Sequence, residues 1–429
     1  MPLARTIGLA ACWLLYLSQP AAGQNAAPVA ESSGFDAVAA WSEFESVLRS
    51  RYAYFERRDI DVEAQLARSR ALAMAEPDPA KFRRAMHQTA LTFMDPHLIV
   101  GPLTDDDYAV VMTAADLDVK FVNGRLTVMD VRAGSPAFKA GIRPGNVVRS
   151  IDGEAPDRAA RLPFGPVLPN PTAAQLDYGA LLAVNGRRGA ARHLTIAGNS
   201  GGQRTITLPS TREYARSLAG RPPVSIARAG ERGRIGVIRI ANSLGNNDTI
   251  KAFDNALRTL AGSEAIVLDL RDTPSGGNTE VGRSIIGHFT RTVRPYQMHR
   301  VPALEREFTV PRQFVEYVFP RDPIFTGPVY VLHGRWTGSM GEGIVIGMDA
   351  ATDAITIGSN MGDLLGALWN IDLKKSASRV DLGGEALFHV DGTPREDFVA
   401  DIPIASADSA SDGSDPAMTA AVAAFASRR

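Results

Sequence analysis

The sequence predicts an α/β fold in its C-terminal half, because apolar strands and amphipathic helices alternate there. Residues 235–240 read as a strand, and residues 248–260 carry apolar side chains at helical spacing. Residues 265–270 are almost continuously apolar, as is typical of a strand covered on both faces. Another apolar run, 328–332, leads into a turn and a helix around Ser339. This order indicates helices packed on a mostly parallel sheet.

The turn after residue 332 contains the candidate nucleophile. Ser339 lies within Trp-Thr-Gly-Ser-Met-Gly-Glu (336–342), where glycines flank a strand-to-helix junction. A serine there lies at a helix N-terminus, beside backbone N–H groups that can stabilise an oxyanion. The alternative is that Ser339 simply caps the helix.

Composition excludes several classes of function. The 429 residues have a net charge of −1, and no basic run suggests a nucleic-acid partner. The seven histidines are scattered, without the spacing of a metal site, and no glycine-rich phosphate loop follows a strand. We therefore expect neither metal nor cofactor, and a peptide or small substrate.

The N-terminus has the pattern of an export signal. Arg5 precedes an apolar stretch, 7–17, and small residues near 21–23 provide a cleavage site. We interpret residues 1–23 as a removed signal peptide, so the protein is expected to be periplasmic or secreted and without a membrane span. Cys12, the one cysteine, offers a less favoured alternative, lipoprotein anchoring.

The remaining chain divides into segments of distinct composition. We expect an N-terminal helical region (24–105), a middle module (110–212), a linker (213–233), a core (234–405) and a C-terminal tail or helix (406–429). In the middle module, residues 133–153 run through a Ser-Pro helix start, a Pro-Gly turn and a strand closed by Asp-Gly. This run resembles a PDZ domain, which implies a groove that accepts an extended peptide as an added strand. The alternative is a rigid lid or spacer.

A glycine-rich loop follows the strand at 265–270. Gly276 and Gly277 allow the main chain to approach a ligand closely, and either could present an N–H to an oxyanion beside that of Met340. An ordinary strand-to-helix turn would have a similar sequence.

The order of these segments resembles the carboxyl-terminal-processing (tail-specific) and tricorn-core serine peptidases over residues 35–405. Asp269-Leu270-Arg271 with the paired glycines matches one family motif, although Thr-Pro-Ser replaces its usual middle. Ser339 with Glu342 matches another. The resemblance implies a ClpP/crotonase-like core with an inserted PDZ domain, Ser339 as the nucleophile, and Gly276 or Gly277 in the oxyanion hole.

The resemblance leaves the general base open between two branches. The tail-specific branch uses a lysine, but residues 357–366 contain none, and Lys374 and Lys375 lie further on. The tricorn-core branch uses a histidine ahead of the PDZ module, which His97 matches in Asp-Pro-His (95–97). His97 is therefore the expected base, with His333 as a rival.

The same branch implies an acid near residue 396 that orients the imidazole. Glu396 is the expected residue, and Asp397 is the alternative. The sequence thus predicts an exported serine endopeptidase that cleaves unfolded or C-terminally recruited polypeptides. The resemblance also implies a homo-oligomer. The alternatives are an inactive PDZ-containing scaffold and a Ser–Lys dyad peptidase.

Overall fold

The computed structural model describes residues 35–57, 60–108, 114–198, 202–274 and 276–428. The expected signal peptide and Cys12 lie outside the described residues. Within those ranges, none of the helices has both the length and the apolar character that crossing a membrane requires.

The N-terminal region is three helices followed by a short strand. They are α1 (Ala37–Arg51), α2 (Val62–Met74), α3 (Pro79–Leu91) and β1 (Ile99–Gly101). An aspartate side chain caps the N-terminus of each helix, which supplies acceptors for the first backbone N–H groups. Trp41, Phe44 and Phe82 are buried where the helices meet.

The middle module is built on an antiparallel sheet of five strands, in the order β2-β3-β4-β5-β6. Its elements are β2 (Leu117–Val122), β3 (Arg125–Val131), α4 (Pro136–Lys139), β4 (Val147–Ile151), α5 (Pro156–Ala159), α6 (Ala173–Asn185), β5 (Arg192–Ala197), β6 (Gln203–Leu208) and α7 (Thr211–Ser217). Ser135 caps α4 as expected. The helix α6 packs along β2.

The rest of the chain forms the core. Its elements are β7 (Val224–Ala229), β8 (Ile235–Ile240), α8 (Asp248–Thr259), β9 (Ala265–Asp269), α9 (Thr279–Ile286), β10 (Arg294–Arg300), α10 (Pro302–Phe308), β11 (Gln313–Val318), β12 (Val329–His333), α11 (Met340–Ala351), β13 (Ile355–Gly358), β14 (Ala367–Leu373), β15 (Ser378–Phe388), β16 (Ile402–Pro403) and α12 (Pro416–Ser427). Four short 3₁₀ turns interrupt the described chain, among them Arg395–Asp397.

The core confirms the mixed α/β prediction. Its main sheet has the order β16-β13-β12-β9-β8-β7, and its strands are parallel except for β7. Side chains of α8, α9 and α11 pack on one face, whereas α12 covers the other through Ala417, Ala421 and Phe425. Because both faces are covered, β9 and β12 are buried along their whole length, which explains their continuous apolar sequence.

The stretch 213–233 departs from the expected linker. Residues 224–229 form β7, which pairs antiparallel with β8 at the edge of the main sheet. Its exposed, arginine-containing sequence obscured the strand, because an edge strand needs little apolar surface.

A second sheet brings the N-terminal region to the core. In it, β1 pairs antiparallel with β15, with Ile99 opposite Asp381, and β15 also pairs with β10 and β14. Since His97 is two residues ahead of β1, this pairing fixes the loop that carries it against the core.

Candidate active site

Ser339 lies in a strained turn between β12 and α11. Its backbone has φ 54° and ψ −116°, a conformation that non-glycine residues rarely adopt. The turn is held by Thr337, whose hydroxyl donates to the Leu270 carbonyl at 3.0 Å and accepts the Gly334 N–H at 3.0 Å. Strain of this kind persists only where surrounding contacts enforce it, and it concentrates at functional sites. The side chain of Ser339 is partly exposed.

The loop after β9 lies directly against this turn. The Gly338 N–H donates to the Thr273 carbonyl at 2.9 Å. A Cβ atom on Gly276 would overlap the Met340 nitrogen, so only glycine fits there. Gly277 instead packs against Gly245. Among the described residues the Met340 N–H, the first of α11, has no acceptor, which leaves it available for an oxyanion.

Asp95 fixes the loop that carries His97. Its Oδ1 accepts the N–H groups of His97 at 2.8 Å and Leu365 at 3.2 Å, and its Oδ2 accepts the Tyr52 hydroxyl at 2.8 Å. One buried carboxylate therefore joins the end of α1, the histidine loop and the segment that leads into β14. Burial raises the pKa of Asp95 to about 6, against the effect of these donors.

The imidazole of His97 is buried, at 7% exposure, and its Nδ1 lies 3.1 Å from the Leu365 carbonyl. A carbonyl can only accept, so Nδ1 carries the proton and Nε2 has a free lone pair, as a general base requires. Burial, and after it the charge of Arg395, lowers the pKa of His97 to about 4. The ring is therefore neutral at physiological pH.

A buried ion pair lies between the serine turn and the histidine. The Glu342 Oε2 accepts the Ser339 N–H at 2.7 Å, and its Oε1 accepts the Asp363 N–H at 2.8 Å. Arg395 approaches the same carboxylate at 3.1 Å and donates to the carbonyls of Ser339, at 3.3 Å, and Leu364. The sequence analysis identified Glu342 through its motif but missed Arg395. A carboxylate buried at a helix start needs a cationic partner, and this requirement could have pointed to an arginine such as Arg395.

Glu396 and Asp397 share the 3₁₀ turn with Arg395. Glu396 is half-buried and Asp397 is exposed, and burial raises the pKa of Glu396. Within the described residues, no hydrogen bond joins Glu396 to His97, or His97 to Ser339. Catalytic hydrogen bonds often tighten only when substrate binds, so these three residues can form a triad in the substrate complex.

The other candidate bases lie in different settings. Lys374 and Lys375 are exposed on the β14–β15 hairpin, where their backbone N–H groups donate to Glu43. They lack the desolvation that a Ser–Lys dyad requires. His333 ends β12 and is fully enclosed, with no hydrogen-bond partner for either ring nitrogen among the described residues.

A cavity of about 860 Å³ opens beside the site. Its walls include Pro96, Leu365 and Glu396 from the site, and Asp118 and Tyr178 from the middle module. This volume accommodates several residues of an extended peptide. No cluster of three or more potential metal ligands occurs in the part of the chain that the structure describes.

The edge of β2 that faces this cavity is already hydrogen-bonded. The Phe121 N–H donates to the Asp177 carboxylate at 2.8 Å, and the Leu117 carbonyl accepts from the Asn185 side chain at 3.0 Å. Both partners lie on α6. A peptide added to β2 as a strand, as the PDZ resemblance implies, would have to displace these side chains.

Comparison with known proteins agrees with this architecture. Residues 234–397 match the profile of the family described as Peptidase family S41. Among solved structures, a photosystem II D1 C-terminal processing protease is similar over 86% of this chain and 93% of its own, at 16% identity and a TM-score of 0.53. Mature CPAF is similar over 91% and 95%, at 13% identity and a TM-score of 0.60. A putative peptidase from Parabacteroides merdae is similar over 91% and 97%, at 12% identity and a TM-score of 0.56. No protein of curated function matches the sequence.

The fold and the family match together define the class of protein, a serine-type peptidase. The match to peptidase family S41 covers residues 234–397, which lie within the core. The resemblance to the carboxyl-terminal-processing and tricorn-core peptidases is thereby confirmed.

Proposed function

We propose that this chain is an endopeptidase that cleaves unfolded or extended polypeptides with Ser339 as the nucleophile and His97 as the general base. The strained backbone of Ser339 carries the proposal, since it presents a hydroxyl beside the unoccupied Met340 N–H. A structural helix cap needs no positive φ, because caps ordinarily adopt extended backbone.

Each step of acyl transfer has a group to perform it. The Ser339 Oγ attacks the scissile carbonyl as His97 Nε2 takes its proton, and the amides of Met340 and Gly276 stabilise the oxyanion. The imidazolium then protonates the leaving amine. A water molecule, deprotonated by the same Nε2, attacks the acyl-enzyme and releases the second product.

Glu396 is the carboxylate proposed to stabilise the imidazolium. Its half-buried position at the cavity, on the turn that carries Arg395, supports this role. In the substrate-free arrangement the Leu365 carbonyl fixes the tautomer of His97, so Glu396 would act on charge rather than on tautomer.

The substrate proposal rests on the shape of the cavity. A cleft of this size, whose walls include Pro96, Leu365 and Glu396, accepts a single extended chain rather than a folded domain. Recruitment of the substrate through the middle module remains a prediction. A peptide that adds to β2 would have to displace the α6 side chains that hydrogen-bond to its edge. Export and a homo-oligomeric state likewise remain predictions from the sequence.

Degradation of casein by the purified protein tests the proposal. We expect the wild type to cleave it, and Ser339→Ala to lower the rate by about 10⁴-fold or more, since the remaining groups act only through the nucleophile. A circular dichroism melt confirms that the variant is folded. Turnover that survives in Ser339→Ala contradicts the assignment, and a wild type that binds but does not cleave peptides supports the scaffold alternative.

A further inference from the structure

The guanidinium of Arg395 lies where two parts of the site meet. It is 4% exposed, and its three partners are the Ser339 carbonyl, the Leu364 carbonyl and the Glu342 carboxylate. The first belongs to the nucleophile turn, and the second immediately precedes Leu365, whose carbonyl holds His97. No other side chain in the described residues donates to both segments.

We propose that Arg395 is a positioning residue that sets the distance and orientation between Ser339 and His97. The inference rests on the proposed function and adds to it a residue that touches neither the substrate nor the reacting atoms.

Glu342 completes the arrangement from the other side. It accepts the backbone N–H of Ser339 and of Asp363, so the carboxylate joins the same two segments through their donors. Arg395 joins them through their acceptors. The two side chains together bind both kinds of backbone group, and their opposite charges reduce the cost of burying either one.

The geometry requires an arginine. A guanidinium has five N–H donors in a rigid plane and can contact two carbonyls and a carboxylate together, whereas a lysine is a single flexible donor site. Arg395→Lys retains the positive charge and loses the planar set of N–H donors. A misplacement of about 1 Å between reacting groups costs roughly 10²-fold in rate. We therefore expect Arg395→Lys to lower kcat by at least about 10-fold with KM nearly unchanged.

The charge of Arg395 has a separate, measurable effect. The titratable and charged groups around the site are Tyr52, Tyr54 and Arg57 after α1, Asp95 beside His97, Arg335 after β12, Glu342 on α11, Asp363 before β14, and Glu396. Burial has the largest effect on each pKa, lowering that of His97 and raising those of Glu342 and Glu396, and the charge of Arg395 acts to lower all three. Because His97 acts in its neutral form, kcat/KM falls as the pH drops through the pKa of the base. Arg395→Gln removes the charge and raises each pKa, so the acid limb moves to higher pH, by about one pH unit.

The experiment compares three single variants by kcat, KM, pH profile and thermal melting. Arg192→Lys is the matched control, because Arg192 is another buried arginine, paired with Asp116 in the middle module. We expect Arg192→Lys to keep the wild-type kcat and acid limb. Arg395→Lys should lose kcat with an unmoved acid limb, and Arg395→Gln should lose kcat and shift the limb.

Two results overturn the proposal: a wild-type kcat in Arg395→Lys, or an equal loss in folded Arg192→Lys. Failure of the proposed function is a different outcome, because in that case Ser339→Ala would keep its activity.

If Arg395→Lys does not fold, the double variant Arg395→Met with Glu342→Gln removes both buried charges and is measured in the same way. Reduced kcat in that folded variant supports the proposal, and wild-type kcat contradicts it.

Discussion

At the scale of single residues, the site depends on side chains that form hydrogen bonds with backbone groups. Asp95, Glu342 and Arg395 each join two or more segments through N–H or carbonyl groups. Burial raises the pKa of Glu342 to about 7, although the Arg395 guanidinium opposes the rise. Strained and buried groups of this kind are retained where their geometry serves a function.

Single substitutions of Glu396 and Asp397, on the 3₁₀ turn, test which of the two carboxylates stabilises the proposed imidazolium. We expect Glu396→Gln to lower kcat by roughly 10²-fold or more, because the imidazolium then lacks a stabilising charge. Asp397→Asn, one residue away and exposed, is the matched control and should retain kcat. Steady-state kinetics on a fluorogenic peptide measures both. The reverse pattern would assign the role to Asp397, and unchanged kcat in both would leave the Leu365 carbonyl as the partner of His97.

At the scale of elements, close backbone approach shapes the proposed oxyanion site. The loop after β9 and the start of α11 meet at Gly276 and Met340, and Gly338 lies against the Pro274 carbonyl, where a Cβ atom would be 2.5 Å away. Thr273 and Thr337 form a parallel bridge between the same segments. Small residues are needed here because the two main chains are in contact.

An alanine at position 276 tests this contact. Its Cβ would collide with the Met340 nitrogen and displace the proposed oxyanion donors, so we expect Gly276→Ala to lower kcat by about 10²- to 10³-fold. Gly262→Ala is the control, since nothing lies within 4 Å of a Cβ placed there. Kinetics and a thermal melt of both variants are compared. Wild-type kcat in Gly276→Ala would show that the loop takes no part in catalysis.

At the scale of the whole molecule, a buried charge cluster attaches the middle module to the core. Asp272, directly after the Asp-Leu-Arg motif, accepts the Nε of Arg132 at 3.0 Å and also pairs with Arg221. Arg271 of that motif pairs in bidentate fashion with Asp415 at the N-terminus of α12, at 2.8 and 2.9 Å. The motif therefore holds the surrounding units in place and also leads into the proposed oxyanion loop.

Loss of one partner from this cluster should destabilise the protein. Asp272→Asn removes the charge that the buried guanidinium of Arg132 contacts, and we expect the free energy of unfolding to fall by about 3 kcal/mol. Asp105→Asn removes an exposed pair with Arg212 and should cost less than about 1 kcal/mol. Chemical denaturation monitored by tryptophan fluorescence measures both. Equal effects would mean that Asp272 contributes no more than a surface charge.

The sequence was most informative where a pattern is local. The strands at 235–240 and 265–270 and the helix at 248–260 follow from periodicity, and their bounds agree with β8, β9 and α8 within one or two residues. The turn at Ser339 was recognisable because glycine spacing reports backbone conformation directly.

Features that depend on distant partners could not be predicted in this way. The strand β7 is exposed at a sheet edge, so it lacks an apolar signature. Arg395 resembles any charged residue of a turn until the fold places Glu342 beside it. The occupied edge of β2 likewise depends on Asp177 and Asn185, whose side chains reach back from α6.

Covalent labelling with a fluorophosphonate probe tests the central claim, that Ser339 is an activated nucleophile with His97 as its base. We expect the wild type to be labelled, with the adduct mapped to Ser339 by mass spectrometry, and both Ser339→Ala and His97→Ala to remain unlabelled. Labelling of His97→Ala at the wild-type rate would assign the base elsewhere. An adduct on any residue other than Ser339 would contradict the account.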